Sequence, residues 1–196
     1  MCAAIKRLYA DARVIDQLSS ALVAAASKIA VGDPLDAKVT MGPISNREQF
    51  QRVCALVDTA VTHGARVLTG GRALERPGYF YPPTLLTDVA RDSAIVAEEQ
   101  FGPVLPLLSF TDVDEVVETV NATSFGLGNS VWTSDTAQGA EIADKLESGS
   151  VWVNRHGIVM PHIPFGGMKH SGIGRTNGAV GADLYSELQT ISISRS

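Results

Sequence analysis

Strand-sized apolar runs alternate along this chain with stretches whose apolar residues recur every three or four positions. That alternation limits the fold more than any other feature, because it calls for strands joined by helical crossovers. Ile5 to Tyr9 reads as a first strand, and Arg13 to Ile29 carries Val14, Leu18, Leu22 and Ile29 at helical spacing. Gly32-Asp33-Pro34 ends that helix. Ser45-Asn46-Arg47-Glu48 caps a second helix reaching Val61, with Phe50, Val53, Cys54, Val57 and Val61 on its inward face. Ala65 to Leu68 is a strand closed by Gly70-Gly71, and Tyr79 to Leu86, interrupted by Pro82-Pro83, reads as an edge segment.

The second half repeats the pattern. Val104 to Phe110 is a strand, and Asp112 to Asn121 a helix capped by Thr111 or Asp112. Asn129 to Thr133 is a strand, a helix capped by Ser134 or Asp135 runs to Leu146, and Ser150 to Asn154 is a strand. Residues 155–181 form a loop rich in glycine and proline. A short helix over Ala182 to Leu188 and a last strand, Gln189 to Ser194, complete the chain. The expected class is α/β, a mainly parallel sheet flanked by helices.

Bulk properties exclude several functions. The formal charge of −5 comes without a basic run or stripe, so nucleic acid is not an expected partner. No stretch of about 18 apolar residues is present, so no membrane-spanning helix is expected. Lys6, Arg7, Asp11 and Arg13 interrupt the opening residues where a signal peptide needs an apolar core. Cys2 and Cys54 lie too far apart to read as a disulfide framework, and a cytoplasmic location is the default. His63, His156, His162 and His170 form neither an H-x-x-x-H nor an H-E-x-x-H pattern, so no metal is expected. There is no G-x-S-x-G elbow, and no local signature supports a cysteine-protease pairing of Cys2 with a histidine.

Three motifs carry chemistry. Cys2 opens Cys2-Ala3-Ala4-Ile5-Lys6-Arg7-Leu8, where the nearby Lys6 and Arg7 favour the thiolate, the reactive form of cysteine; the same position also fits an ordinary residue without a role. Glu98-Glu99-Gln100-Phe101-Gly102-Pro103 joins a carboxylate able to accept from ribose hydroxyls to a ring able to pack on a nicotinamide; the same residues also fit an acidic turn with a buried phenylalanine. Pro164-Phe165-Gly166-Gly167-Met168-Lys169-His170-Ser171-Gly172-Ile173-Gly174-Arg175 invites a phosphate-loop reading. Its glycine spacing is wrong, no strand-to-helix turn is expected there, and a Walker Lys-Ser pair is missing. Cys54 reads as core on a helix stripe.

In this order and at these separations the three motifs resemble the carboxyl-terminal half of an NAD(P)-dependent aldehyde dehydrogenase, starting at its nucleophilic cysteine. The resemblance implies that Cys2 attacks an aldehyde to give a thiohemiacetal and that Glu99 and Phe101 bind the nicotinamide end of NAD or NADP. It also implies that Asn154 and Phe165 line the substrate pocket, with Arg155, His156 and His162 in the substrate-facing loop. It divides the chain into a catalytic domain over 1–181, which includes the 155–181 active-site loop, and an oligomerisation segment over 182–196. The family's water-activating glutamate, its asparagine oxyanion donor and most of its dinucleotide fold lie upstream of the cysteine. Losing such a base costs about 10² to 10⁴ in rate, so the chain alone is expected to show no dehydrogenase turnover. The expected partners are an aldehyde and either further copies of the chain or a complementing aldehyde dehydrogenase chain. A non-catalytic interaction module derived from that family is the alternative.

Overall fold

The computed structural model describes residues 1–194 and folds as two compact units, Met1–Val113 and Asp114–Ser196. Arg195 and Ser196, the end of the expected oligomerisation segment, lie outside the described residues.

The first unit is built on a four-stranded sheet. It comprises β1 (Leu8–Asp11), β2 (Arg66–Thr69), β3 (Thr84–Thr87) and, after the short helix α3 (Ala94–Ala97), β4 (Val104–Phe110), in the order β1-β4-β3-β2. The β1/β4 and β3/β4 pairs are parallel and β2/β3 is antiparallel, so the sheet is mainly parallel as expected. Thr84, Leu85 and Leu86 are all buried, as are Val104, Leu107 and Leu108. Continuous rather than alternating burial marks strands covered on both faces.

Two helices fill the remainder of this unit, α1 (Ile15–Ala26) and α2 (Arg47–Thr62). The Asn46 side chain caps α2 by accepting from the Gln49 amide, as its sequence signature predicts. The buried face of α2 is Val53, Leu56, Val57 and Ala60. Val61, expected inward, is 43% exposed; it lies one position round from Ala60, which with Val53, Leu56 and Val57 completes the i, i+3, i+4, i+7 stripe. These residues pack with Tyr81, Leu86, Ile95, Val96, Val104 and Leu108 into one apolar core. Cys54 packs against its margin, half-buried.

The Tyr79 to Leu86 segment corrects one expectation. It is not an edge, because β3 sits between β2 and β4. The two prolines end before the ladder begins, and the Thr84 amide donates to the Pro103 carbonyl at 2.8 Å. Proline therefore removes no donor that this interior strand needs.

The second unit contains α4 (Val113–Asn121, which begins at the boundary), β5 (Phe125–Gly126), β6 (Gly128–Val131), α5 (Thr136–Lys145), β7 (Ser150–Val153), β8 (Met168–Lys169) and α6 (Gly178–Asp183). β6 pairs β7 in parallel, and β5 pairs β8 antiparallel. Asp135 caps α5 by accepting from the Ala137 and Gln138 amides. The expected 182–188 helix lies earlier, as α6, so the expected boundary at 181/182 falls inside a helix. Residues 189–194 take no strand, because no described residue pairs with them, and Ile191 and Ile193 are exposed. No helix of the described residues is long and apolar enough to cross a membrane.

Close backbone approach fixes the 164–176 run in this unit. A Cβ on Gly149 would lie 1.6 Å from the Gly166 carbonyl oxygen, and one on Gly167 would lie 2.6 Å from Ser171. Both obstacles include backbone, so neither glycine tolerates a side chain without displacement of the chain. Gly149→Ala is expected to destabilise the protein by about 2 kcal/mol or more, read as a fall in urea midpoint, whereas Gly157→Ala meets no neighbour and loses only the ease of its positive φ.

Candidate functional site

The expected site residues divide between the two units. Cys2, Glu99 and Phe101 belong to the first, and Asn154 and Phe165 to the second.

In the first unit, the head of the chain is tied to the Glu98–Phe101 motif. α3 is a single turn, and a helix end leaves its last carbonyls without intrahelical donors. Arg7 meets that need. Its Nε donates to the Val96 carbonyl, and a terminal nitrogen donates to those of Ala97 and Glu98 at 3.2 and 3.3 Å. A cation at a helix C-terminus also suits the peptide dipoles. From α2, Arg52 donates to the Glu99 carbonyl at 3.4 Å, and the Gln49 side chain donates through Nε2 to the carbonyls of Gln100 and of Phe101, the latter at 3.3 Å. Gln100, whose side chain is fully buried, turns back to donate to the carbonyls of Ile95 and Lys6. Every carbonyl from Ile95 to Phe101 thus accepts from a side chain.

That frame sets the two expected cofactor groups. Phe101 has φ +46°, a conformation a bulky residue adopts only when its surroundings impose it, and the residue is 44% exposed. Lys6 Nζ lies 4.8 Å from the ring centroid, within cation–π range. Burial pushes the Lys6 ammonium's pKa down, while the nearby Glu99 carboxylate pushes it up. Glu98, next in line, pairs with Arg52 at 2.7 Å; with both side chains nearly half exposed, that pair is worth about 0–1 kcal/mol. Cys2 is exposed, in a turn closed by the Ala4 amide donating to the Met1 carbonyl. It is four residues from Lys6, so their Cα atoms lie within about 14 Å.

In the second unit, Asn154 ends β7 with φ +55°. Its Oδ1 accepts from the Thr133 amide and its Nδ2 donates to the Thr133 carbonyl, both at 2.8 Å. The side chain therefore copies one rung of the β6/β7 ladder and pins the backbone where both strands end. Phe165 exchanges two backbone hydrogen bonds of 2.8 Å with Thr176. It lines a cavity of about 200 Å³ with Trp152, Arg155, Ile158, Met160 and Ile163. Trp152 Nε1 donates to the Ile158 carbonyl at 3.1 Å, and the His156 ring meets the indole edge-on at 5.0 Å. An apolar cavity with one guanidinium at its wall suits an organic molecule with a polar end. Among the described residues, no group of three His, Cys, Asp or Glu side chains is placed to hold a metal.

Sequence reasoning missed Gln49, Arg52 and Gln100. Nothing in spacing shows a side chain aimed at a carbonyl 47, 51 or 94 positions away, though two glutamines and an arginine beside apolar core positions were the available signal.

The two thiols are expected to react unequally. Cys54 is half-buried, and burial together with Asp58 raises its pKa, whereas Cys2 is exposed. Iodoacetamide at pH 8 should label the Cys2 peptide several-fold faster than the Cys54 peptide, followed by mass spectrometry.

The sequence and backbone both have close relatives. The model of the aldehyde dehydrogenase family matches residues 1–191. The succinate-semialdehyde dehydrogenase [NADP(+)] 1 of Mycobacterium bovis is 38% identical over 192 residues, covering 98% of this chain and 42% of the relative. Among solved structures, an aldehyde dehydrogenase variant from Bacillus cereus superimposes with a TM-score of 0.89 at 37% identity, over 93% of this chain and 37% of that one. Betaine aldehyde dehydrogenase from Staphylococcus aureus in complex with NAD+ does so with 0.89 at 32% identity, over 94% and 38%. An E. coli NADP-dependent enzyme gives 0.91 at 37% identity, over 94% and 38%. The chain thus spans about two fifths of the length of the relatives it matches. With nearly its whole length matched in sequence and in backbone, the chain belongs to the aldehyde dehydrogenase family.

Proposed function

We propose that this chain is the portion of an NAD(P)-dependent aldehyde dehydrogenase that carries the nucleophile, and that it oxidises an aldehyde to a carboxylic acid when the segments its relatives carry in addition are supplied. The observation behind this reading is the tie between the two ends of the expected chemistry: Lys6, four residues after Cys2, lies over the Phe101 ring, and Gln100 bonds the Lys6 carbonyl.

The Cys2 sulfur, as thiolate, bonds to the aldehyde carbon, and the carbonyl oxygen takes the negative charge. Bound NAD(P)+ would supply the acceptor for the hydride that leaves that carbon. The oxygen's electron pair reforms the carbonyl as a thioester on Cys2. Water then adds to the thioester, the C–S bond breaks and the carboxylic acid leaves, with the water's second proton going to the sulfur or, where the sulfur stays thiolate, to solvent.

The residues present fit the nicotinamide end of such a cofactor. Glu99 offers a half-exposed carboxylate for ribose hydroxyls, and Phe101 offers a ring surface held rigid by its frame. Taken by itself, the Phe165 cavity of the second unit, with Arg155 at its wall, has a lining suited to the organic part of an aldehyde. Holding the reacting atoms near attack distance contributes to the rate, and a rigid frame serves it better than a flexible one.

A second reading rests on the tail. Leu188, Ile191 and Ile193 are 101, 73 and 82% exposed, and their backbone pairs with no strand among the described residues. Such a segment is suited to join a sheet edge in another copy of the chain, making the protein a homo-oligomer.

The catalytic reading is tested by co-expressing the chain with the amino-terminal portion of a relative and following NAD(P)H absorbance with short aldehydes. Turnover that falls at least about 10³-fold on Cys2→Ser is expected; equal turnover without Cys2 would sink the proposal. For assembly, sedimentation should show concentration-dependent dimers that disappear when the chain is cut after Leu188. Dimers that survive the cut would argue against the tail.

A further inference from the structure

We infer that Gln100 is a positioning residue of the reaction proposed above, one that locks the cysteine-bearing head of the chain to the Glu99–Phe101 motif. The inference rests on that reading of the site.

Gln100 is an unusual residue to find where it is. Its side chain has no solvent exposure, and it reaches the backbone of Ile95, a member of the apolar core. Burying a carboxamide costs free energy unless its groups are paired. Its Nε2 donates to the Ile95 carbonyl and, at 3.2 Å, to the Lys6 carbonyl, but the buried Oε1 has no partner among the described residues. A leucine of similar volume would fill the same space with no orphaned acceptor. A half-satisfied amide is therefore a poor choice for stability alone.

What leucine could not do is hold Lys6. The two Nε2 bonds join remote segments: the Lys6 backbone just after Cys2, 94 residues from Gln100, and the Ile95 backbone in α3, just before the Glu98–Phe101 motif. Arg7 makes the reciprocal tie, from the head segment to the Val96, Ala97 and Glu98 carbonyls. Lys6 and Arg7 reach across with side chains that each have four or more rotatable bonds. Gln100 instead bonds the Lys6 backbone itself, with a shorter side chain locked in the core. It therefore fixes where the main chain after Cys2 runs, and does so from the residue between Glu99 and Phe101. A change there would shift the nucleophile and the nicotinamide-binding groups relative to each other. It would leave untouched the cavity around Phe165 and Trp152, which is built from 149–165.

Two measurements test this. The first needs only the chain. Amide hydrogen exchange is read at Ala4, whose amide donates to Met1, and at Val96, Ala97 and Glu98, whose amides donate to Ser93 and Ala94. Gln100→Leu should speed exchange at both places together, about tenfold, while α2 amides at Val53 to Val57 keep their protection. Gln100→Glu provides the control for misfolding. Its carboxyl can donate when protonated and repels both carbonyls when ionised, so its exchange, corrected for intrinsic rates, should approach the parent at low pH and exceed it at neutral pH. Unchanged exchange in both variants overturns the inference. So does a uniform rise across α2 and the sheet, because it would mean that Gln100 only supports the core.

The second measurement uses the complemented enzyme. Gln100→Leu should lower kcat about 10- to 100-fold with the aldehyde KM within about twofold, since misplacement by an ångström costs that much. A kcat equal to the parent's overturns the positioning role. If the parent shows no Cys2-dependent turnover, the functional reading falls, and with it the positioning role, while the exchange result still decides whether Gln100 locks the two segments.

Discussion

The first unit depends on one constraint: seven consecutive carbonyls, Ile95 to Phe101, must find donors in a stretch too short and too irregular to supply its own. α3 is only four residues long, and the backbone after it turns through a positive φ at Phe101, so neither helix nor sheet can satisfy these groups. An unpaired carbonyl in a half-buried turn costs about as much as a lost hydrogen bond. Arg7, Arg52, Gln49 and Gln100 remove that cost. Each of them is then held in place by the carbonyl it serves. The same bonds that stabilise the turn join three remote parts of the sequence: the head, the first two turns of α2, and the motif itself.

This arrangement explains why the strained residue is tolerable. A phenylalanine at φ +46° is disfavoured by about 1–3 kcal/mol, and such strain persists only where the surroundings over-determine it. Here the Phe101 carbonyl is fixed from α2 and its ring is capped by the Lys6 ammonium. Asn154 is the counterpart in the second unit. Its side chain makes both bonds of a ladder rung, so a positive φ becomes the natural way to end β7, and asparagine is among the residues that tolerate it best.

Long, strongly periodic elements were legible in the sequence. β4 spans Val104–Phe110 as its apolar run implies, and α2 starts at the cap that Asn46 supplies. The family was legible as well, because the motifs lie in order along nearly the whole chain. Three short elements, α3, β5 and β8, were not, since their existence depends on distant partners rather than on local pattern. The interior place of β3 was hidden by Pro82-Pro83, whose missing donors fall just outside the ladder. The ends of the chain defeat local reading for the same reason. Ile191 and Ile193 have the alternation of a strand, but a strand exists only where a partner edge accepts it.

The glycine-rich run shows how a motif can mislead by composition and still be read by geometry. Glycines beside Lys169, His170 and Ser171 resemble a phosphate cradle, yet Gly166 and Gly167 are small because neighbouring backbone occupies the space a Cβ would need. A Cβ on Gly166 would lie 2.5 Å from the Gly174 carbonyl oxygen. Ser171 is committed too, its hydroxyl accepting from the Gly126 amide at 2.9 Å, and Arg175 donates to the Gly167 carbonyl at 2.6 Å. With those groups engaged inward, the run acts as a packed strap rather than an open nest of amides. Its role is mechanical: it fixes Phe165 against Thr176, and so holds one wall of the cavity beside Trp152. In both units, then, the groups expected to meet substrate or cofactor sit on irregular backbone, and the rigidity they need comes from side chains and close-packed glycines instead of regular hydrogen bonding.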